Sequence, residues 1–212
     1  MCGFASSVGT LLAPAAVRLR RAHPRWEVRV AEVVTTAECY RLLLADRADI
    51  GVLTPLGDSP PLDDSRFDQR PLLDDPQDLV VPAGHPLSDR AEAELTDAAR
   101  EEWIAPHRDQ HDLILALCAA AGFAPSVTHH ADEWQGVLAL IAHGMGVCLV
   151  PRLVPTGGHD GVARVPLRGS PAPYRRVLTC VRRGSHGRPP VAEALRTLEE
   201  ARDQIRTPLA RR

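Results

Sequence analysis

The sequence predicts an α/β protein of strands separated by helices, and three observations carry that prediction. Apolar positions recur at helical spacing in several runs of ten or more residues. Short segments that alternate at period two, or are wholly apolar, stand between those runs, and clusters of Gly, Pro and Asp punctuate the two kinds. With 212 residues, 44% of them hydrophobic and 25% charged, the chain is long enough to bury a sizeable core in one domain or two small lobes.

Taken in order, residues 8–22 (VGTLLAPAAVRLRRA) predict the first helix, with Ser6 or Ser7 as its N-cap and His23-Pro24 as its stop. Residues 26–33 (WEVRVAEV) alternate apolar and charged, the mark of a strand with one face covered. Thr35 and Thr36 then open a second helix, AECYRLLLADRA, which is followed by the short buried strand DIGVLT (49–54). FDQRPLLDDPQDLVVP predicts two extended segments, broken at Asp-Asp-Pro. A short helix in LTDAAREE, a strand in WIAP and a helix in HDLILALCAAAGF closed by Gly122 come next. After them stand an extended PSVTHHAD, a helix in EWQGVLALIAHG, a strand in VCLVP, a strand over 175–183 and a final amphipathic helix opened by prolines. Strands divided by helices point to parallel sheets covered on both faces, and there are more units than one small sheet holds.

A formal net charge of -2 gives no overall attraction to nucleic acid, although Arg175, Arg176, Arg182 and Arg183 form a local basic cluster. All 25 basic residues are arginine, which reflects codon usage rather than chemistry. The five cysteines lie far apart with no Cys-x-x-Cys pair and read as buried free thiols. The first residues, MCGFASSVGTLL, lack the basic start and long apolar core of a signal peptide, and no apolar run is long enough to span a bilayer, so the expected compartment is the cytoplasm.

Two sets of residues carry candidate chemistry. A helix N-terminus presents free N–H donors and about half a positive charge, so the hydroxyls at two helix starts, Ser6 with Ser7 and Thr35 with Thr36, mark places for a small polar ligand. His129, His130, Asp132 and Glu133 are crowded into five positions, but their spacing is not a recognised zinc pattern such as His-Glu-x-x-His. Gly144 and Gly146 suit a helix C-cap and a tight turn into a strand. No nucleophile elbow, phosphate loop or dinucleotide fingerprint is present, so no enzyme activity, metal or cofactor is expected.

Several local patterns, taken in order, resemble a known family. GFASS, LLAPAAVRLRRAHPRWEV, ADIGVL, LVVPAGHPL, WIAP, AAGFAPSV, VLALIAHGMGVCLVP and RRVLTCVRRG together resemble the effector-binding domain of LysR-type transcriptional regulators, from about residue 3 to about residue 200. The resemblance implies a two-lobed fold like the type 2 periplasmic binding proteins, with two crossover strands and a ligand held between the lobes. Lobe I would comprise residues 1–80 with 182–212, and lobe II residues 83–174. It implies effector contacts at Ser7 and Thr36, and places Thr54 where some relatives that bind acidic ligands carry a basic residue. Arg108 or His107 would supply positive charge from the opposite lobe, and His130 and Trp134 would approach the cleft while His129 faces away.

The function implied is sensing of a small polar metabolite for transcription control. The domains would form a homodimer or tetramer through contacts of lobe I with lobe II, with Leu19 and Val30 at or near a contact. DNA would be reached only through an N-terminal winged helix-turn-helix and linker helix, which this sequence lacks, so that a fragment or a late start codon is expected. A free-standing cytoplasmic solute-binding protein and a metal-dependent hydrolase built on His129, His130, Asp132 and Glu133 are the alternatives.

Overall fold

A computed structural model describes residues 1–56, 59–106, 108–169 and 172–209. In chain order the elements are β1 (Cys2–Gly3), α1 (Ala5–Ser7), a π-helical turn (Val8–Leu12), α2 (Ala13–Ala22), β2 (Ala31–Glu32), α3 (Thr36–Leu44), β3 (Gly51–Leu53) and β4 (Phe67–Pro82). They continue with a 3₁₀ turn (Leu95–Ala98), β5 (Glu102–Ala105), α4 (Arg108–Ala120), β6 (Ser126–His130), α5 (Trp134–Ala142), β7 (Cys148–Pro151), β8 (Val162–Val165), β9 (Tyr174–Arg182) and α6 (Pro189–Leu209). The chain divides into two compact units, Met1–Asp74 with Arg176–Arg212 and Asp75–Arg175, and β4 and β9 each run from one into the other.

In the first unit β1 is flanked by β2 and β3, both parallel to it, with Cys2 in register with Ala31 on one side and with Gly51 on the other. Strand β3 then pairs antiparallel with β9. The core under this sheet holds Cys2, Val33, Cys39, Leu43, Leu53, Phe67 and Leu178. The predicted strand over 26–33 is paired only at Ala31–Glu32, because β1 offers it two residues to pair with. The first helix starts earlier than predicted. Phe4 is its N-cap, and Ser6 and Ser7 lie within its first turn rather than capping it. The π-helical turn that follows carries one i→i+5 step in an otherwise α-helical run, a distortion frequent at functional sites.

The second unit has its own core, in which the fully buried Trp103, Ile104, Leu138, Ile141 and Leu149 pack together. Strand β4 pairs antiparallel with both β7 and β8, and β5 pairs parallel with β6. The break predicted at Asp-Asp-Pro does not occur: β4 is continuous over 16 residues. Asp75 is held there by Arg175, and the Pro76 carbonyl still accepts the Arg152 N–H at 3.0 Å. Helix α5 ends as its glycines predict. Gly144, at φ 76°, donates to the Ile141 carbonyl while Met145 donates to Leu140, a Schellman closure. A Cβ on Gly146 would meet the Glu102 carbonyl oxygen at 2.5 Å.

Candidate functional site

The three parallel strands of the first unit end at one edge, and each delivers hydroxyl residues there. Strand β1 leads into Ser6 and Ser7, β2 into Thr35 and Thr36, and β3 into Thr54. In open α/β sheets the crevice beyond the carboxyl ends of parallel strands is where ligands bind, because helix N-termini converge there.

Thr35 is the N-cap of α3, and its hydroxyl accepts the Glu38 N–H at 3.2 Å. The Glu38 carboxylate turns back to accept the Val34 N–H at 3.3 Å. The Ala37 N–H, in the first turn, has no acceptor among the described residues. Thr36 donates its hydroxyl to the Thr54 carbonyl at 2.8 Å, which ties the start of α3 to the end of β3. The Thr54 hydroxyl oxygen is buried and, among the described residues, is the side-chain polar atom that finds no partner. A buried unpaired hydroxyl costs about 1–3 kcal/mol, so its retention needs a reason.

Ser7 is fully buried, and its hydroxyl donates to the Phe4 carbonyl at 2.7 Å. A Cβ on Gly3 would meet the Ser7 oxygen at 2.5 Å, so the glycine makes the room in which that hydroxyl sits. Ser6 is buried beside it. Thus the structure brings Thr36 and Thr54 into direct contact and sets Ser6 and Ser7 at the end of the neighbouring strand. Glu38 is the charged group in the first turn of α3.

In the second unit, His130 ends β6 with an exposed side chain, its ring 6.1 Å from that of His111 in a T-shaped pair. Trp134 opens α5 half-buried and packs against the core. His107 lies outside the described residues. Arg108 opens α4, and its side chain also lies outside them. Asp132 and Glu133 are exposed, and no group of three or more His, Cys, Asp or Glu among the described residues is placed to hold a metal ion.

Sequence reasoning missed the buried polar scaffold of this unit. Arg175 pairs with Asp75 at 2.8 Å, and Asp78 takes both Arg152 at 2.9 Å and Arg164 at 3.1 Å. Burial pushes the Asp75 carboxyl upward, against the pull of the Arg175 guanidinium and the Leu153 N–H. Gln110 donates to Gln77 at 2.8 Å inside the same region. Two of the arginines in the predicted basic cluster are thus internal. Arg175 is buried, and Arg182 donates to the Leu43 and Ala48 carbonyls at 2.7 Å each.

A cavity of about 550 Å³ lies at the opposite ends of the first unit's strands, lined by Met1, Trp26, Arg29, Asp49, Ile50 and Arg188, and it includes none of the predicted site residues. Leu19, expected near a contact between copies, is 2% exposed and belongs to the interior. No helix among the described residues is long and apolar enough to cross a membrane.

Comparison with known proteins gives a consistent outcome. Residues 3–203 match the LysR substrate binding domain family. The chain is 32% identical over 156 residues to the HTH-type transcriptional regulator CatR of Pseudomonas putida, covering 72% of this chain and 52% of that protein. It is 27% identical over 158 residues to the HTH-type transcriptional regulator AlsR of Bacillus subtilis, covering 70% of this chain and 49% of that protein. The chain therefore spans about half the length of these relatives. Among solved structures, the effector binding domain of a BenM variant aligns with TM-score 0.80 at 22% identity, over 94% of this chain and 92% of that one. A Corynebacterium glutamicum OxyR mutant aligns with TM-score 0.82 at 19% identity, over 96% of this chain and 63% of that one.

Proposed function

Because the chain belongs to the LysR substrate binding domain family, we propose that it is the effector-sensing part of a cytoplasmic transcriptional regulator and that it binds a small polar metabolite rather than turning one over. The observation that carries this reading is the Thr54 hydroxyl, buried without a partner where β3 ends and α3 begins. A ligand hydroxyl or carboxylate oxygen supplies the missing hydrogen bond, and the Ala37 N–H at the head of α3 supplies a second donor. Ser6, Ser7, Thr35 and Thr36 shape the same strand-end wall. With Glu38 in the first turn of α3 and a threonine at position 54, a neutral or singly charged ligand fits better than a strongly anionic one.

Transcription control follows from differential affinity: a ligand shifts a two-state regulator only by as much as it prefers one state, and a tenfold preference is worth about 1.4 kcal/mol. The relatives are DNA-binding regulators by name, so the whole protein would act on DNA through a helix-turn-helix and assemble as a dimer or tetramer.

Thermal unfolding of the purified chain against a panel of small carboxylates, amino acids and sugars tests this reading. Benzoate, the effector of BenM, is a member of the panel. One compound class raises the melting temperature saturably, by a free energy of about 2.7 kcal/mol at a hundredfold excess over Kd. The shift is lost in Thr54→Val and reduced in Thr36→Val. A panel without response, or a response that survives Thr54→Val, overturns it.

A further inference from the structure

Behind the strand-end wall, on the core side of the first unit, two thiols touch. The Cys2 Sγ on β1 and the Cys39 Sγ on α3 are 3.3 Å apart, both fully buried. Residue 51 is glycine at the one place where the sheet meets this pair, and a Cβ there would stand 2.4 Å from the Cys39 Sγ. The missing side chain leaves the sulfur its seat between β1 and β3. A third thiol, Cys180, is in cross-strand register with Gly51 and shares the same core.

We propose that Cys2 and Cys39 form an oxidisable dithiol, a modification site at which a hydroperoxide closes a disulfide between β1 and α3. Closing it needs the sulfurs to approach from 3.3 Å to the bonded distance of about 2.05 Å, a movement of about one ångström that side-chain rotation supplies. One sulfur of the pair attacks the peroxide and becomes a sulfenic acid, and the peroxide leaves as an alcohol or water. The other sulfur then attacks it, the S–S bond forms, and water leaves with the sulfenic oxygen. Two thiols lose two electrons in all, and one peroxide gains them.

Either thiol of the touching pair can donate the hydrogen bond between them, so either sulfur can attack first. Burial pushes the Cys180 and Cys118 thiols up to about 12, which keeps them out of the first step. Access comes with local opening of β1, whose ladder is two residues long.

The consequence is mechanical. Strand β1 runs directly into Phe4 and Ser7, and Cys39 lies three residues past Thr36. A bond between them pins together the two elements whose ends carry the ligand wall. This bearing on ligand binding rests on the function proposed above, but formation of the bond does not.

The test treats the reduced chain with one equivalent of hydrogen peroxide, blocks residual thiols under denaturing conditions and reads intact mass and tryptic peptides. Expected are a loss of two hydrogens, three blocked thiols and a cross-linked pair of peptides ending at Arg18 and Arg41. Cys180→Ser leaves the cross-link unchanged, and Cys39→Ser and the smaller Cys39→Ala both remove it. Five blocked thiols, a link to Cys180, or oxygen addition at Cys2 in the parent chain without cross-linking overturns the proposal. Ligand-induced thermal shifts, measured separately on the reduced chain, decide the functional reading independently.

Discussion

The two units treat buried polar groups in opposite ways. In Asp75–Arg175 every described buried polar or charged side chain is committed: Asp75 to Arg175 and the Leu153 N–H, Asp78 to Arg152 and Arg164, Gln110 to Gln77. In the first unit, Thr179 and Thr197 are likewise satisfied by the Arg70 and Glu193 carbonyls, yet the Thr54 hydroxyl at the strand ends is not. The second unit spends its polar groups on holding β4, β7, β8 and β9 in register, and its buried charges are scaffold. The hydroxyl left without a partner at the first unit's strand ends is the departure from that rule, and the proposed ligand contact rests on it.

The largest test of that contrast removes a committed charge. Asp75→Ala leaves the Arg175 guanidinium buried and uncompensated, and lowers unfolding stability by about 3–5 kcal/mol in urea titration. Replacing both partners by apolar residues of similar volume, Asp75→Leu with Arg175→Met, restores most of the loss. A single variant as stable as the parent would mean that the pair is not the scaffold described here. A smaller effect of opposite sign is expected at Thr54. Thr54→Val replaces an unsatisfied hydroxyl by a methyl group of the same shape, and raises stability of the ligand-free chain by about 1 kcal/mol while abolishing the ligand shift. Loss of stability there would show that the hydroxyl has a partner and would dissolve the comparison.

How much of this was legible in the sequence depends on the range of the forces involved. Apolar spacing, a signal confined to neighbouring turns, located α2, α3, α4, α5 and α6 but not the first turn at Ala5–Ser7 or the exact ends. The end of α5 followed from two glycines. The continuous β4 was not legible, because Asp-Asp-Pro is a breaker by local rules, and Arg175, which holds it, lies 100 residues away. The N-cap was misplaced because the chain offers two serines after Phe4, and only the structure shows that the Ser7 hydroxyl turns back to the Phe4 carbonyl. Thr35 and Thr36 located the head of α3 correctly, with Thr35 as its N-cap. The partnerless Thr54 and the Cys2–Cys39 contact are products of packing, and no spacing rule reaches them.

The smallest expected effect asks whether pairing alone, without burial, produces scaffold behaviour. Asp64 accepts from the Arg66 side chain at 2.8 Å and from the Arg66 N–H at 2.9 Å, in a pair whose arginine is largely exposed. Those hydrogen bonds hold the Asp64 carboxyl down at about 2. A carboxyl depressed in the folded state stabilises it at pH above its ordinary value near 3.8 and loses that contribution as pH falls through about 2. Asp64→Asn should therefore differ slightly from the parent at neutral pH, and the two chains should converge in acid. Because solvent screens this pair, the difference should also shrink with salt, while the loss in Asp75→Ala stays nearly constant. If the two respond alike to salt, burial is not what separates the scaffold charges from the surface ones. If they diverge, the committed charges of the second unit act through their removal from water, and exposure alone separates them from the surface pair.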